Sequence, residues 1–209
     1  MPKIGVIILA AGMSIRMGEP KLLIPLAGKP LFRHVIDSIL GSSMQPIHLV
    51  AGEYIEEIRQ QSEDYPELKI IHNPNYTDGM STSLKLGVQS IKEHVDAVMI
   101  FLADQPLTSL EVIRALIEKY IECKDEGVRI VRPKYKGKEG HPILVDASIL
   151  NEFHSIKGDQ GGKSIIKKYD AVTKTVSFDN SMWGFDIDTP EDIHKVKLHL
   201  DSMQNIEMK

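Results

Sequence analysis

The sequence predicts an α/β fold in which a mostly parallel central sheet is covered by helices on both faces, giving three layers. Two observations carry this. The apolar runs in the first half are short and nearly unbroken, as IGVIIL and AVMIFL show, which suits strands buried on both faces. These runs alternate with longer segments of helical period, the rhythm of successive βα units. Neither an internal repeat nor a low-complexity tract nor a linker interrupts the 209 residues. The expectation is therefore one domain over 1–209, with an elaborated second half.

The elements follow in order. Ile4 to Leu9 reads as the first strand. Pro30 can open a helix to about Leu40, with Leu31, Val35 and Ile39 on one stripe. Ile47 to Ala51 is a second strand, Tyr54 to about Gln61 a helix, and Leu68 to Ile71 a third strand. Ser81 to Ile91 is helical, with Leu84, Val88 and Ile91 in register. The fourth strand, Ala97 to Leu102, ends in Ala103-Asp104. Thr108 to Glu111 has capping-box spacing and opens a helix whose apolar face is Ile113, Ile117, Tyr120 and Ile121. After Gly127 the rhythm changes. Val128 to Arg132 and Ile143 to Val145 read as strands joined by a polar loop, PKYKGKEGHP. A short helix spans Ala147 to Phe153, and GDQGG precedes a helix from Ser164 to Tyr169. Val172 to Phe178 is β-like. Thr189 caps a last helix with Pro190 at its first position.

Composition narrows the function classes. Hydrophobic residues make up 42% and charged residues 26% of the chain, ordinary for a globular protein with a sizeable core. A formal net charge of -4 argues against a broadly basic nucleic-acid surface. Cys123 is the only cysteine, which excludes an intrachain disulfide and a multi-cysteine metal cluster. The apolar run at residues 4–11 is too short to span a membrane and reads better as a buried strand than as a secretory peptide. A cytoplasmic protein without membrane or nucleic-acid partners is expected.

Three stretches can carry chemistry. In LAAGMSIRMGEPK, residues 9 to 21, the loop after the first strand lies at the carboxyl edge of the sheet, where open α/β folds bind ligands. Small side chains at Ala10, Ala11 and Gly12 let backbone amides approach phosphate oxygens, and Arg16 and Lys21 supply positive charge. A plain glycine turn has the same composition. The spacing matches neither a dinucleotide fingerprint nor a Walker A loop, so an NAD-dependent oxidoreductase is disfavoured. The GKS of KGDQGGKS is no P-loop either, because Lys157 stands where the first glycine belongs. The second stretch is Asp104, at the exit of a central strand, as a divalent-metal ligand or a turn aspartate. The third is FDIDTPED, where Asp186 and Asp188 are two apart and share a face in extended chain. Asp188 could equally cap the following helix, and Glu191 and Asp192 suit its first turn. His34, His48, His72 and His94 read as packing or surface histidines, whereas Gly140 and Pro142 set His141 apart as a residue that can face a ligand. Ser14, Ser81 and Ser83 sit in no nucleophile elbow.

The stretch LAAGMSIRMGEPKLLIPLAGKPL resembles the signature of the MobA-like nucleotidyltransferases, in particular molybdenum cofactor cytidylyltransferases and the purine-catabolism accessory proteins related to them. The likeness runs from residue 4 to about 200. It implies a Rossmann-like three-layer nucleotidyltransferase fold, with a nucleotide-binding half at about 1–108 and an acceptor-binding half at about 109–209. By this resemblance, Leu9, Ala10, Ala11 and Gly12 surround the nucleotide, and Arg16 and Lys21 hold its triphosphate. HNPNYTDGMSTSLKLG supplies Asn73, Gly79, Met80, Ser81 and Ser83 near base and ribose. Asp104 and Asp188 match the family's metal-binding carboxylates for Mg²⁺ or Mn²⁺, with Asp186 close enough to compete for the second place. GHPILV and GDQGGK match the half that faces the second substrate, through His141, Asp159, Gly162 and Lys163. Leu-Ala-Ala-Gly is the form of the cytidylyl-transferring relatives, whereas the guanylyl-transferring branch typically has Leu-Ala-Gly-Gly. The resemblance thus implies CTP as donor, molybdenum-molybdopterin as acceptor, and a molybdenum hydroxylase such as xanthine dehydrogenase as a further partner. Transfer to another phosphorylated acceptor and non-catalytic delivery of the molybdenum cofactor are the alternatives.

Overall fold

A computed structural model describes residues 1–14 and 17–207. Its centre is β1 (Ile4–Ala10), in which successive side chains serve opposite faces of the sheet. Val6, Ile8 and Ala10 enter one buried cluster, whereas Ile7 enters the other. Parallel neighbours flank it on both sides: β4 (Ile47–Ala51), followed outward by β5 (Leu68–His72), and β6 (Ala97–Leu102). The run of β-branched and aliphatic residues in these strands is explained by burial on both faces.

Beyond β6 the sheet departs from simple βα repetition. β9 (Ile143–Asp146) runs antiparallel between β6 and β7 (Ile130–Tyr135), and β10 (Thr173–Phe178) pairs parallel with β7 at the far edge. The order across the eight-stranded sheet is β10-β7-β9-β6-β1-β4-β5. The eighth strand, β8 (Lys138–Glu139), folds back on the end of β7. The segment PKYKGKEGHP is therefore largely a hairpin rather than a loop. Its charges conceal an alternation in which Pro133 and Tyr135 point inward while Arg132 and Lys134 are only partly covered. The Arg132–Glu139 ion pair at 2.7 Å ties the hairpin together.

Helices cover both faces. α1 (Leu31–Leu40), α2 (Ile55–Gln60) and α4 (Leu110–Cys123) place Phe32, Ile58 and Leu116 in one cluster. α3 (Met80–Ile91) and α5 (Lys163–Lys168) place Leu84, Val88 and Ile165 in the other. The segment Ala147–Ser155 is 3-10 helical, and Asp146 caps it by accepting a bond from Ser148 N at 2.9 Å. A two-stranded ribbon, β2 (Pro25–Leu26) and β3 (Lys29–Pro30), precedes α1, so Pro30 is its N-cap rather than its first helical residue. At α4 the cap is Ser109, whose hydroxyl accepts from Glu111 N at 3.1 Å. Thr108 instead turns inward and donates to Gln105 O at 3.1 Å, which replaces the expected capping box. No described helix is long and apolar enough to cross a membrane.

α6 (Pro190–Glu207) starts as its sequence suggests, and its cap involves Asp192 directly. The Asp192 carboxylate accepts from Thr189 N and Thr189 Oγ1 at 2.9 Å each, and Asp192 N donates to Thr189 Oγ1 at 3.3 Å. It also accepts from Asp188 N at 3.1 Å, so the cap fixes the backbone of a site candidate. Partial burial alone would raise the Asp192 carboxyl, but these hydrogen bonds outweigh it and hold the group below its ordinary value. The sign follows: the stabilisation is present above the unfolded carboxylate pKa and is lost as pH falls through the folded one. Asp192→Ala should destabilise the protein by about 1 kcal/mol in urea unfolding at pH 7, and by less at pH 3.

Candidate active site

The site assembles at the carboxyl edge of β1 and β6. Leu9 and Leu102 are paired across the two strands, and Ala103 N donates to Leu9 O at 3.1 Å. This ladder places Asp104 beside the small-residue loop Ala10-Ala11-Gly12. The loop turns back, and Lys21 N donates to Ser14 Oγ at 3.1 Å. Lys21 then starts a 3-10 turn, Lys21–Leu23, anchored by the buried Leu22. From that base its Nζ reaches Asp104 Oδ2 at 2.8 Å and Asp188 Oδ1 at 3.1 Å. Burial by itself would lower the Lys21 pKa, but the two carboxylates more than compensate, and the ammonium is held above its ordinary value.

The carboxylates of the FDIDT segment have different partners. Ile187 N donates to Asp104 O at 3.0 Å, which pins the segment to the exit of β6. Asp188 then meets Lys21, whereas Asp186 Oδ1 accepts from Gln105 Nε2 at 2.8 Å. Burial chiefly, and then the Asp104 charge, raises the Asp186 carboxyl. Gln105 is only 3% exposed, so Asp186 is held by a buried amide while Asp188 shares one cation with Asp104. The sequence left open which of the two accompanies Asp104. The geometry brings Asp188 to it through Lys21.

Asp104 Oδ1 is buried and has no hydrogen-bond partner. An all-oxygen pair with an unsatisfied acceptor suits a hard divalent cation. Among the described residues no group of three or more His, Cys, Asp or Glu side chains is arranged to hold a metal. Mg²⁺ is commonly bound through one or two carboxylates, with substrate phosphates and water completing its shell.

A cavity of about 240 Å³ opens beside these groups. Leu9 to Ser14, Lys21 and Asp104 form one wall, and Tyr76, Gly79, Met80 and Ser83 form another. Asp159 closes the space from the second half of the chain. Its carboxylate accepts from Met80 N at 3.4 Å, at the start of α3. Gly79 has φ +101°, and a Cβ there would lie 2.6 Å from Asp159 Oδ1 and 2.7 Å from the Gly158 carbonyl carbon. Only glycine fits this left-handed, crowded position. Asn73 is buried behind the wall rather than on it. Its Nδ2 donates to Thr82 Oγ1 and Ser83 Oγ at 2.8 Å each, so it shapes the entrance to α3. Ser81 is also buried, at 2% exposure, and does not line the cavity.

His141, Gly162 and Lys163 do not line this cavity either. Gly162 is the N-cap of α5 and packs toward Phe153, and Lys163 is the helix's first residue. His141 is held by its backbone, whose carbonyl accepts from Tyr135 Oη at 2.8 Å. Burial, and then the charges of Arg132 and Lys163, lower its imidazole to about 4. His48, which shares a 2.7 Å hydrogen bond with Ser90 Oγ, is likewise pushed to about 4, chiefly by burial. Unfolded imidazoles bind protons below about pH 6.5 while these two stay neutral. Stability should therefore fall as pH drops from about 6.5 toward 4. Ring-proton NMR shifts of both histidines should remain flat between pH 5.5 and 8.

Arg16 lies outside the described residues. Met13, Leu22, Tyr76 and Leu102 join the cavity lining without having been singled out in the sequence, and Ser14, weighed there only as a nucleophile, joins it too. Tyr76 had one detectable signal, its place inside HNPNYTDGM. What the sequence does not show is that its ring packs over Gly52, where a Cβ would meet it at 2.7 Å.

Comparison with known proteins bears on this arrangement. Residues 6–172 match the model of the MobA-like NTP transferase domain. The molybdenum cofactor cytidylyltransferase of Escherichia coli K12 is 28% identical over 201 residues, covering 94% of this chain and 97% of that protein. Among solved structures, the Mycobacterium sp. strain JC1 homologue of Rv0371c superposes with a TM-score of 0.82 at 21% identity, covering 96% of this chain and 98% of the other. Rv0371c of Mycobacterium tuberculosis H37Rv in complex with manganese superposes with a TM-score of 0.74 at 19% identity, covering 94% and 98%. At these identities the structural likeness speaks for the fold: a mixed, mostly parallel Rossmann-like sheet. The family match spans most of the chain and includes the loop after β1 and Asp104, and on that basis the chain belongs to the MobA-like NTP transferase domain family of nucleotidyltransferases.

Proposed function

We propose that this protein transfers CMP from CTP to the terminal phosphate of molybdenum-molybdopterin and releases pyrophosphate, acting in the cytoplasm. The observation that carries the proposal is the convergence of Lys21, Asp104 and Asp188 at the mouth of a small-residue loop. The choice of base and acceptor leans on the Escherichia coli relative, a molybdenum cofactor cytidylyltransferase that matches over nearly its whole length.

In the proposed reaction an acceptor phosphate oxygen attacks the α-phosphorus of CTP in line with the bond to the β-phosphate oxygen. A new P–O bond forms, the old one breaks, and pyrophosphate leaves with the electron pair. The acceptor is already anionic at neutral pH, so no general base is required. Catalysis is alignment plus charge compensation. Leu9 to Gly12 would seat the nucleotide, with amides free to approach its phosphates. Asp104 and Asp188 would hold Mg²⁺ or Mn²⁺, which supplies Lewis-acid charge compensation at the transferred phosphoryl group. Lys21, together with Arg16, would stabilise the departing pyrophosphate. Gly79, Met80 and Ser83, backed by Asn73 and Ser81, would border base and ribose. Asp159, together with His141, Gly162 and Lys163, would belong to the acceptor side. A molybdenum hydroxylase is the natural recipient of a cytidylylated product.

The test is a matrix of CTP, GTP and ATP against purified molybdenum cofactor with Mg²⁺, scoring pyrophosphate and nucleotide-linked product together. CTP should be preferred. Activity with GTP alone overturns the base assignment. Cofactor binding without nucleotide consumption favours delivery, and transfer only to sugar or polyol phosphates replaces the acceptor.

A further inference from the structure

Lys21 lies between Asp104 and Asp188, the two carboxylates assigned above to the divalent cation. Its ammonium is 2.8 Å from one and 3.1 Å from the other, and its side chain is 12% exposed. An ammonium held by one oxygen of each carboxylate and a divalent ion coordinated by the same two carboxylates would repel each other at close range, so each weakens the other's hold. The backbone beneath Lys21 is fixed, through the Ser14 hydroxyl and the 3-10 turn, whereas the rotatable bonds of a lysine's four-carbon stem let the ammonium be redirected once a new anionic partner arrives. Asp104 Oδ1 stays buried and unpartnered even with the lysine in place, so the ammonium satisfies only part of the carboxylate.

We propose that Lys21 is a resident counter-cation of the metal-binding carboxylates in the nucleotide-free protein, and that metal and nucleotide enter together by displacing it. The triphosphate offers the ammonium a new anionic partner as the divalent cation takes Asp104 and Asp188. Metal alone would leave Lys21 without that partner, and nucleotide alone would leave the two carboxylates facing added negative charge. Each ligand therefore strengthens the other by the same factor, as linkage requires. This rests on Asp104 and Asp188 being the cation's ligands.

The experiment is Mn²⁺ binding to nucleotide-free protein, followed by electron paramagnetic resonance of free Mn²⁺. Lys21→Met removes the charge while keeping the stem. It should bind Mn²⁺ at least about tenfold more tightly than the unsubstituted protein, because the competing cation is gone. Lys21→Arg should remain weak. Lys21→Gln, neutral but still a hydrogen-bond donor, should behave like the methionine variant and serves if that variant does not fold. Equal affinities in the unsubstituted, Met and Gln proteins overturn the displacement. The double variant Lys21→Met/Asp104→Asn separates the two claims. Loss of the gained affinity supports both, whereas a gain that survives means the ion sits elsewhere and overturns the carboxylate assignment itself.

Discussion

Asp104→Ala is expected to lower nucleotidyl transfer by about 10²–10³-fold while leaving the fold intact. The side chain works at the cavity, and its structural share is small. The backbone carbonyl that pins the FDIDT segment, through Ile187 N at 3.0 Å, survives the substitution. Lys21 keeps Asp188 as a partner at 3.1 Å, so no buried charge is stranded. Asp104→Asn retains the shape and should lose nearly as much activity, since charge is the property at stake. Initial rates of pyrophosphate release, with far-ultraviolet circular dichroism of the same samples, check both halves of the expectation. Near-normal turnover in either variant removes Asp104 from the metal assignment.

The largest effect on stability is expected at Phe101. It occupies the fifth position of β6, three residues before Asp104, and is 1% exposed in the cluster beneath α1 and α4. Its neighbour across the parallel ladder is Ile8, itself fully buried. Phe101→Ala removes most of an aromatic side chain from a packed sheet, at an expected cost of about 3–5 kcal/mol. Against a typical total of about 5–15 kcal/mol this leaves a marginal protein. Its thermal midpoint should fall by roughly 6–20 °C at about 2–4 °C per kcal/mol. A shift of less than 2 °C in calorimetry would show that the strand carrying Asp104 is not anchored as described.

These two positions also show what was legible in the sequence. β6 announces itself as AVMIFL because it is buried on both faces, and Asp104 follows as the first charge after it. β1, β4, β5 and β6 and the helices that follow them emerge from the same logic, with shifts of one or two residues at their ends, whereas the two-residue strands β2 and β3 leave no such trace. The second half was harder to read for a physical reason. β7 is amphipathic, with Arg132 and Lys134 alternating with buried Pro133 and Tyr135, and β8 is only two residues long. Such a hairpin looks like a charged loop until its antiparallel partner is known. The direction of β9 is likewise a tertiary fact, set by pairing with β6 on one side and β7 on the other.

In the site, local chemistry was legible and convergence was not. Small residues at Ala10 to Gly12 mark a permissive loop, but nothing in the spacing of Lys21, Asp104 and Asp188 places them at one point. Separations of 83 and 167 residues are closed only by the sheet and by the Ile187–Asp104 bond. Asn73 illustrates the converse. The resemblance implies that Asn73 lies near base and ribose, yet its amide holds Thr82 and Ser83 from behind the cavity wall. Asp192, read as a helix-end charge, accepts three hydrogen bonds and fixes the amide of Asp188.

The most direct measurement of the central claim is label transfer in a single turnover. The protein, Mg²⁺ and molybdenum-molybdopterin are mixed with CTP carrying radioactive phosphorus at the α or the γ position. α-Label should appear in the pterin product and γ-label in pyrophosphate, both about 10²–10³-fold more slowly with Asp104→Ala. α-Label that remains in CTP while the cofactor stays bound, or γ-label that appears in the pterin, would contradict the claim.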